Sequence, residues 1–240
     1  FFTTPGAAAF ISGVIMYDET IRQKNAAGVP LAEVLSKQGI IPGIKVDTGA
    51  KELTGSPEEK MTEGLDGLRD RLKEYAAMGV RFAKWRAVIR ITDTLPSPMC
   101  VNVNAHALAR YAALCQEQGI VPIVEPEVLM DGPHTIERCD EVTSSVLHTV
   151  FDALFEQCVR LEGMLLKPNM VEYEPGTAIN THPLVVAGAA VACRRAGAIE
   201  VDSTAVFGLR SSAPATGPMT IATRAGLGHA DAFRYGNLPS

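Results

Sequence analysis

Five short, almost wholly apolar runs recur along the chain, and each ends in polar or charged residues: "ISGVIMYDE", "GIIPGIKVD", "GVRFAKWRAVI", "GIVPIVEPE" and "GMLLKPN". Runs of this kind suit strands buried on both faces, which occur in parallel sheets covered by helices. The segments between them have helical spacing. "PLAEVLSKQ" gathers Leu31, Val34 and Leu35 on one face, and "LDGLRDRLKEYAAM" repeats Leu65, Leu68, Leu72 and Ala76. "AHALARYAALCQEQG" does the same with Leu108, Tyr111, Ala112 and Cys115, and Gly119 is placed to end that helix. A longer helix is predicted over Thr135 to Arg160, where Val142, Val146, Val150, Leu154 and Cys158 share a stripe. No GxGxxG or P-loop follows the first strands, which disfavours a nucleotide-binding open sheet. The expected fold class is α/β, a (β/α)8 TIM barrel.

Barrel enzymes build their sites where strands end. Here the strand ends deliver Asp18 and Glu19, then Lys45 and Asp47, Lys84 and Arg86, Glu125 and Glu127, and finally Lys167. Charges at alternate positions of one strand point to the same side. In a barrel that side is the interior, where an unpaired charge is expensive. Five strands in series thus predict a polar cluster at one mouth. In "RLEGMLLKPNMV" an amine leaves the end of an apolar run, and Pro168 turns the chain immediately after it. An amine in an apolar pocket deprotonates more easily and can then attack a carbonyl carbon. The plainer alternative is a strand ending in a solvated lysine. Lys84 with Glu125, likewise, reads either as catalytic machinery or as a core ion pair.

A chain of 240 residues, 47% hydrophobic with net charge −5, is expected to fold as a globular protein with a real core. No basic block suggests a nucleic-acid surface, and no run is long enough to cross a bilayer. Neither nucleic acid nor membrane is therefore expected as a partner. Cys100, Cys115, Cys139, Cys158 and Cys193 form no CxxC pair, which points to reduced thiols rather than disulfides or zinc. No His cluster suggests a metal, and no cofactor is expected. Several cations beside carboxylates suit an anionic substrate such as a sugar phosphate.

"LEGMLLKPNMV", "GIVPIVEPEVLMDGPH", "GVRFAKWRAVIRI" and "GIIPGIKVDTGAKELTG" together resemble the strand motifs of class I fructose-bisphosphate aldolases, continuously from Gly13 to Val171. "EGLDGLRDRLKEYAAMG" and "NAHALARYAALCQEQG" are similar to the segments between them. The resemblance implies that Lys167 forms an imine with the ketose, that Glu125 is the acid/base, and that Lys84 assists carbinolamine chemistry and contacts phosphate. It assigns Lys45, Arg86 and Glu127 to the charged surroundings of the substrate. It implies reversible cleavage of fructose 1,6-bisphosphate to dihydroxyacetone phosphate and glyceraldehyde 3-phosphate without a metal. It also implies a homotetramer, in the cytoplasm or a plastid.

The chain begins with Phe and lacks a signal peptide's basic start, so it is expected to be the interior of a longer protein, its barrel partial. The family's first strand, with its aspartate, would precede Phe1. The expected division is 1–195 for the partial barrel, strands 2–6 and their helices, and 196–240 for a divergent C-terminal segment. In that segment neither Ser-Gly-Gly nor Tyr-Gly-Arg occurs where the family has it, and Asn237 stands in place of the arginine. A non-catalytic aldolase-like chain and another Schiff-base barrel lyase or transferase are the alternative readings, since fold alone does not confer activity.

Overall fold

The structure, a computed structural model, describes residue 4 and residues 6–169. Cys193, the helix expected in "THPLVVAGAAVACRRAGAIE" and the segment 196–240 lie outside them. In chain order come a 3-10 turn (Ala7–Ala9), β1 (Gly13–Met16), α1 (Asp18–Ile21), α2 (Leu31–Lys37) and β2 (Ile41–Lys45). Then follow β3 (Gly49–Leu53), β4 (Ser56–Glu63), α3 (Leu68–Ala77), β5 (Phe82–Ile89) and α4 (Pro98–Glu117). The described elements end with β6 (Val121–Val128), α5 (Ile136–Glu156), a 3-10 turn (Leu161–Gly163) and β7 (Leu165–Leu166).

β1, β2, β5, β6 and β7 form one sheet in that spatial order, and every neighbouring pair is parallel. A doubly wound sheet reverses its strand order at a switch point. This one never does, so it is a run of strands from a (β/α)8 barrel, not closed within the described residues. On β5, Ala83, Trp85, Ala87 and Ile89 are buried, while Lys84 and Arg86 take the opposite side. Trp85 stacks on Tyr111 of α4 with centroids 5.5 Å apart, and the Tyr111 hydroxyl donates to the Ala83 carbonyl at 2.6 Å. The predicted stripes of α4 and α5 are buried from Leu108 to Cys115 and from Val142 to Leu154. Cys158 is not: it is exposed at φ 54°, past the end of α5.

Helix boundaries follow local chemistry that periodicity does not register. α4 starts at Pro98, well before Ala105, because the Ser97 hydroxyl accepts from the Cys100 amide at 3.1 Å and Pro98 fits a first turn. α3 starts at Leu68 rather than Leu65, since Gly64 and Gly67 take φ of 130° and 64°. The β3–β4 hairpin offers no apolar alternation to detect. The buried residues within β4 are Glu59 and Thr62.

Beneath the charged strand ends, a close packing fixes the spacing of two strands. Gly43 pairs with Phe82 across β2 and β5, and a Cβ on Gly43 would lie 2.3 Å from the Phe82 ring. Phe82 is 3% exposed. Its side chain lies on the same face as Lys84, two residues on, and forms the floor under it.

Candidate active site

The parallel register places Lys84 opposite Ile123, Arg86 opposite Glu125 and Val88 opposite Glu127. The ion pairs run diagonally across that register. Lys84 Nζ lies 2.8 Å from Glu125 Oε2, and Arg86 Nε pairs with Glu127 Oε2. Each cation of β5 thus reaches the carboxylate two residues beyond its register partner on β6. β7 pairs with Ile123 and Val124, and the Lys167 amide extends that ladder by donating to the Val124 carbonyl at 2.9 Å. Lys167 Nζ then donates to Glu125 Oε1.

Glu125 is therefore a carboxylate with a lysine at each oxygen: Lys167 hydrogen-bonds Oε1, whereas Lys84 is an ion-pair neighbour of Oε2, which accepts no hydrogen bond among the described residues. Its side chain is 1% exposed, against 22% for Lys84 and 50% for Lys167. The amine of Lys167 does not sit in an apolar pocket, as its sequence setting suggests; it is half exposed beside a buried carboxylate. Pro168 and Asn169 are buried just after it, and the Thr143 hydroxyl of α5 donates to Asn169 Oδ1 at 3.4 Å. The backbone carrying Lys167 is held on both sides.

Lys45, at the end of β2, forms a separate pair. Its ammonium donates to the Asp47 carboxylate and, at 3.3 Å, to the Asp47 carbonyl, and lies 5.8 Å from the Tyr17 ring centroid. Asp47 shares the face of Lys45 in the sequence pattern, yet the resemblance assigns it no role. The alternation of Lys45 and Asp47 is the signal that points to it.

Asp18 and Glu19 belong elsewhere. They occupy the first turn of α1, not a strand end. Asp18 accepts from Arg22 at 2.9 Å and from the Tyr75 hydroxyl at 2.8 Å. The hydrogen bond from Arg22, foremost, and that from Tyr75 hold its carboxyl below the ordinary range against the opposing effect of burial. The same bond, together with burial as the larger cause, raises the Tyr75 phenol. The mouth is thus supplied by four strands rather than five. Lys45, Lys84, Arg86 and Lys167 face Asp47, Glu125 and Glu127, leaving one net positive charge.

Such a site can move a proton over one carboxylate between two amines, one of them within reach of a carbonyl compound. Among the described residues, no three His, Cys, Asp or Glu side chains are grouped to hold a metal ion.

The family model for class I fructose-bisphosphate aldolase matches residues 1–202. The chain is 63% identical over 169 residues to a probable class 1 fructose-bisphosphate aldolase of Xanthomonas axonopodis pv. citri, covering 70% of this chain and 51% of that protein. It is 52% identical over 186 residues to the cytosolic fructose-bisphosphate aldolase 4 of Arabidopsis thaliana, covering 78% of this chain and 47% of the relative. The fructose-bisphosphate aldolase of Plasmodium falciparum, solved with TRAP and a small-molecule inhibitor, superposes with TM-score 0.72 at 46% identity, covering 83% and 58%. The chain spans about half the length of the curated relatives it matches. With a family model matching most of its residues, the chain belongs to the class I fructose-bisphosphate aldolases.

Proposed function

We propose that the chain contributes the imine-forming part of an aldolase that reversibly cleaves fructose 1,6-bisphosphate. The observation that carries this reading is Glu125, buried between Lys167 and Lys84 with one oxygen to each. The chemistry begins when the Lys167 ammonium passes a proton to Glu125 Oε1. The amine freed in this way attacks C2 of the ketose, forming a carbinolamine. Glu125 returns the proton to the C2 hydroxyl, which leaves as water, and an iminium remains. Lys167 makes the one hydrogen bond to this carboxylate among the described residues, so Oε1 is the oxygen that exchanges protons, with the Lys84 ammonium as an ion-pair neighbour of Oε2. A base takes the proton of the C4 hydroxyl as C3–C4 breaks, which releases glyceraldehyde 3-phosphate and leaves the electron pair in an enamine; one proton is then returned to C3. Hydrolysis gives dihydroxyacetone phosphate and restores Lys167. Lys45 and Arg86 supply positive charge for the substrate's anionic groups, with Glu127 orienting Arg86.

A cytosolic setting is supported by the cytosolic plant relative, and no helix among the described residues is long and apolar enough to cross a membrane. A homotetramer, with glycolysis as the setting, completes the proposal. The test is reduction with borohydride in the presence of dihydroxyacetone phosphate, followed by peptide mapping. An adduct on the Lys167 peptide is expected; an adduct confined to Lys45 or Lys84 would refute the assignment.

A further inference from the structure

The pairing of β2 with β5 stops at Lys45 opposite Lys84, followed by one last bond from the Val46 amide to the Lys84 carbonyl at 3.1 Å. Beyond that point β2 turns away toward the hairpin. The Arg86 amide would be left without a β2 carbonyl, and the Asp47 carboxylate occupies that place, with Oδ2 3.4 Å from the Arg86 nitrogen. The other carboxylate oxygen accepts from the Gly49 amide at 3.1 Å and from the Lys45 ammonium. The Asp47 side chain is 2% exposed, and that of Lys45 is 23% exposed.

A lysine ammonium has three donors. Asp47 takes two of those of Lys45, one with its carboxylate and one with its own carbonyl. Rotation about the last bond of the side chain is thereby fixed, and one N–H remains for a further acceptor. The same carboxylate pins the backbone of Arg86, the second cation on this side of the mouth.

We infer that Asp47 is a positioning residue for substrate binding: it locks the Lys45 ammonium so that its remaining N–H meets an anionic oxygen of the substrate, and it holds Arg86 in register beside it. This rests on the reading of the site as that of an aldolase. Asp47 touches no reacting atom, so its loss acts on affinity and leaves imine chemistry at Lys167 nearly intact.

The experiment measures borohydride trapping of fructose 1,6-bisphosphate as a function of its concentration. It compares the wild-type chain, Asp47→Asn, Lys45→Met and the double variant. One charge-assisted hydrogen bond corresponds to about tenfold in affinity. Asp47→Asn should therefore raise the half-saturating concentration about tenfold, with the maximal trapping rate within about twofold of wild type. In the Lys45→Met background the same substitution should add much less, because the contact it acts through is gone. A half-saturating concentration that is unchanged or lowered in Asp47→Asn overturns the inference, as does full additivity in the double variant. A purely structural role would lower the maximal rate as well. If Asp47→Asn does not fold, the wild-type protein decides. Its Lys45 15Nζ resonance should shift on titration with inorganic phosphate while ammonium rotation stays slow; no shift, or a freely rotating ammonium, overturns the inference. A wild-type chain giving no adduct with either sugar phosphate would instead refute the aldolase reading itself.

Discussion

Replacing Glu125 with Gln separates proton transfer from ion pairing. The amide keeps the size of the side chain and one acceptor, but it carries neither charge nor an exchangeable acid proton. Two ammonium groups would then face a neutral group that is 1% exposed. Removing one member of a buried pair typically costs about 3–5 kcal/mol. Here the cost falls at the lower end, near 3 kcal/mol, because Lys167 is half exposed and can turn to water while Lys84 is partly accessible. For a chain of this size that is a drop in Tm of about 6–12 °C. Loss of a positioned acid/base slows its step about a hundredfold to ten-thousandfold. The assay is the single-turnover rate of borohydride-trapped imine, measured well below the transition, beside thermal unfolding of the same protein. Imine formation should be slowed by at least about a hundredfold. A variant that melts early yet forms the imine at the wild-type rate would make Glu125 structural and move the proton shuttle to Glu127.

Two further substitutions test the frame that holds the site. Burial would raise the Glu59 carboxyl, but bonds from the Ser97 hydroxyl and amide and from the Ser56 hydroxyl outweigh it and hold the group below its ordinary range. Its stabilisation is complete above the unfolded-state value of about 4.3 and is lost as pH falls through the lower folded value. Glu59→Gln should lose about 1–3 kcal/mol at neutral pH and flatten the acid limb of stability in urea titrations; an unchanged limb would contradict this. Gly43→Ala forces a methyl into the Phe82 ring, and an overpacking cost of about 1–3 kcal/mol is expected by thermal unfolding, with wild-type Tm as the refuting result.

The grouping of charges at the mouth is legible in the sequence because a charge at the end of a buried strand is costly unless it is paired or solvated, and repetition over successive strands gathers such charges in one place. Lys45, Lys84, Arg86, Glu125, Glu127 and Lys167 all line the same side of one sheet. Asp18 and Glu19 look equivalent in sequence, yet a helical turn begins at Asp18 and hands it to Arg22 and Tyr75. Arg22 lies only four residues on, but only three-dimensional proximity reveals Tyr75, 57 residues away. The diagonal pairing across β5 and β6 is hidden for a related reason. Alternation tells which face a residue takes, but register decides which neighbour it meets. The role of Asp47 depends on where β2 leaves β5, and no local pattern marks that point. The hairpin stays invisible because its buried β4 positions are polar.

That hairpin sets how the wall of the sheet comes apart. Thr62 donates through its hydroxyl to the Arg86 carbonyl at 2.8 Å and through its amide to Asn104 Oδ1 at 3.1 Å. Asn104 returns a bond to the Lys60 carbonyl at 2.9 Å, and Glu59 holds Ser97, the residue that caps α4. Helix ends ordinarily fray singly and cheaply. Fraying the start of α4 would strip a buried carboxylate of its donors, so this end opens only together with the hairpin, as a larger and costlier cooperative unit. The strand bearing Lys84 and Arg86 is braced by that same unit and shares its rarity of opening.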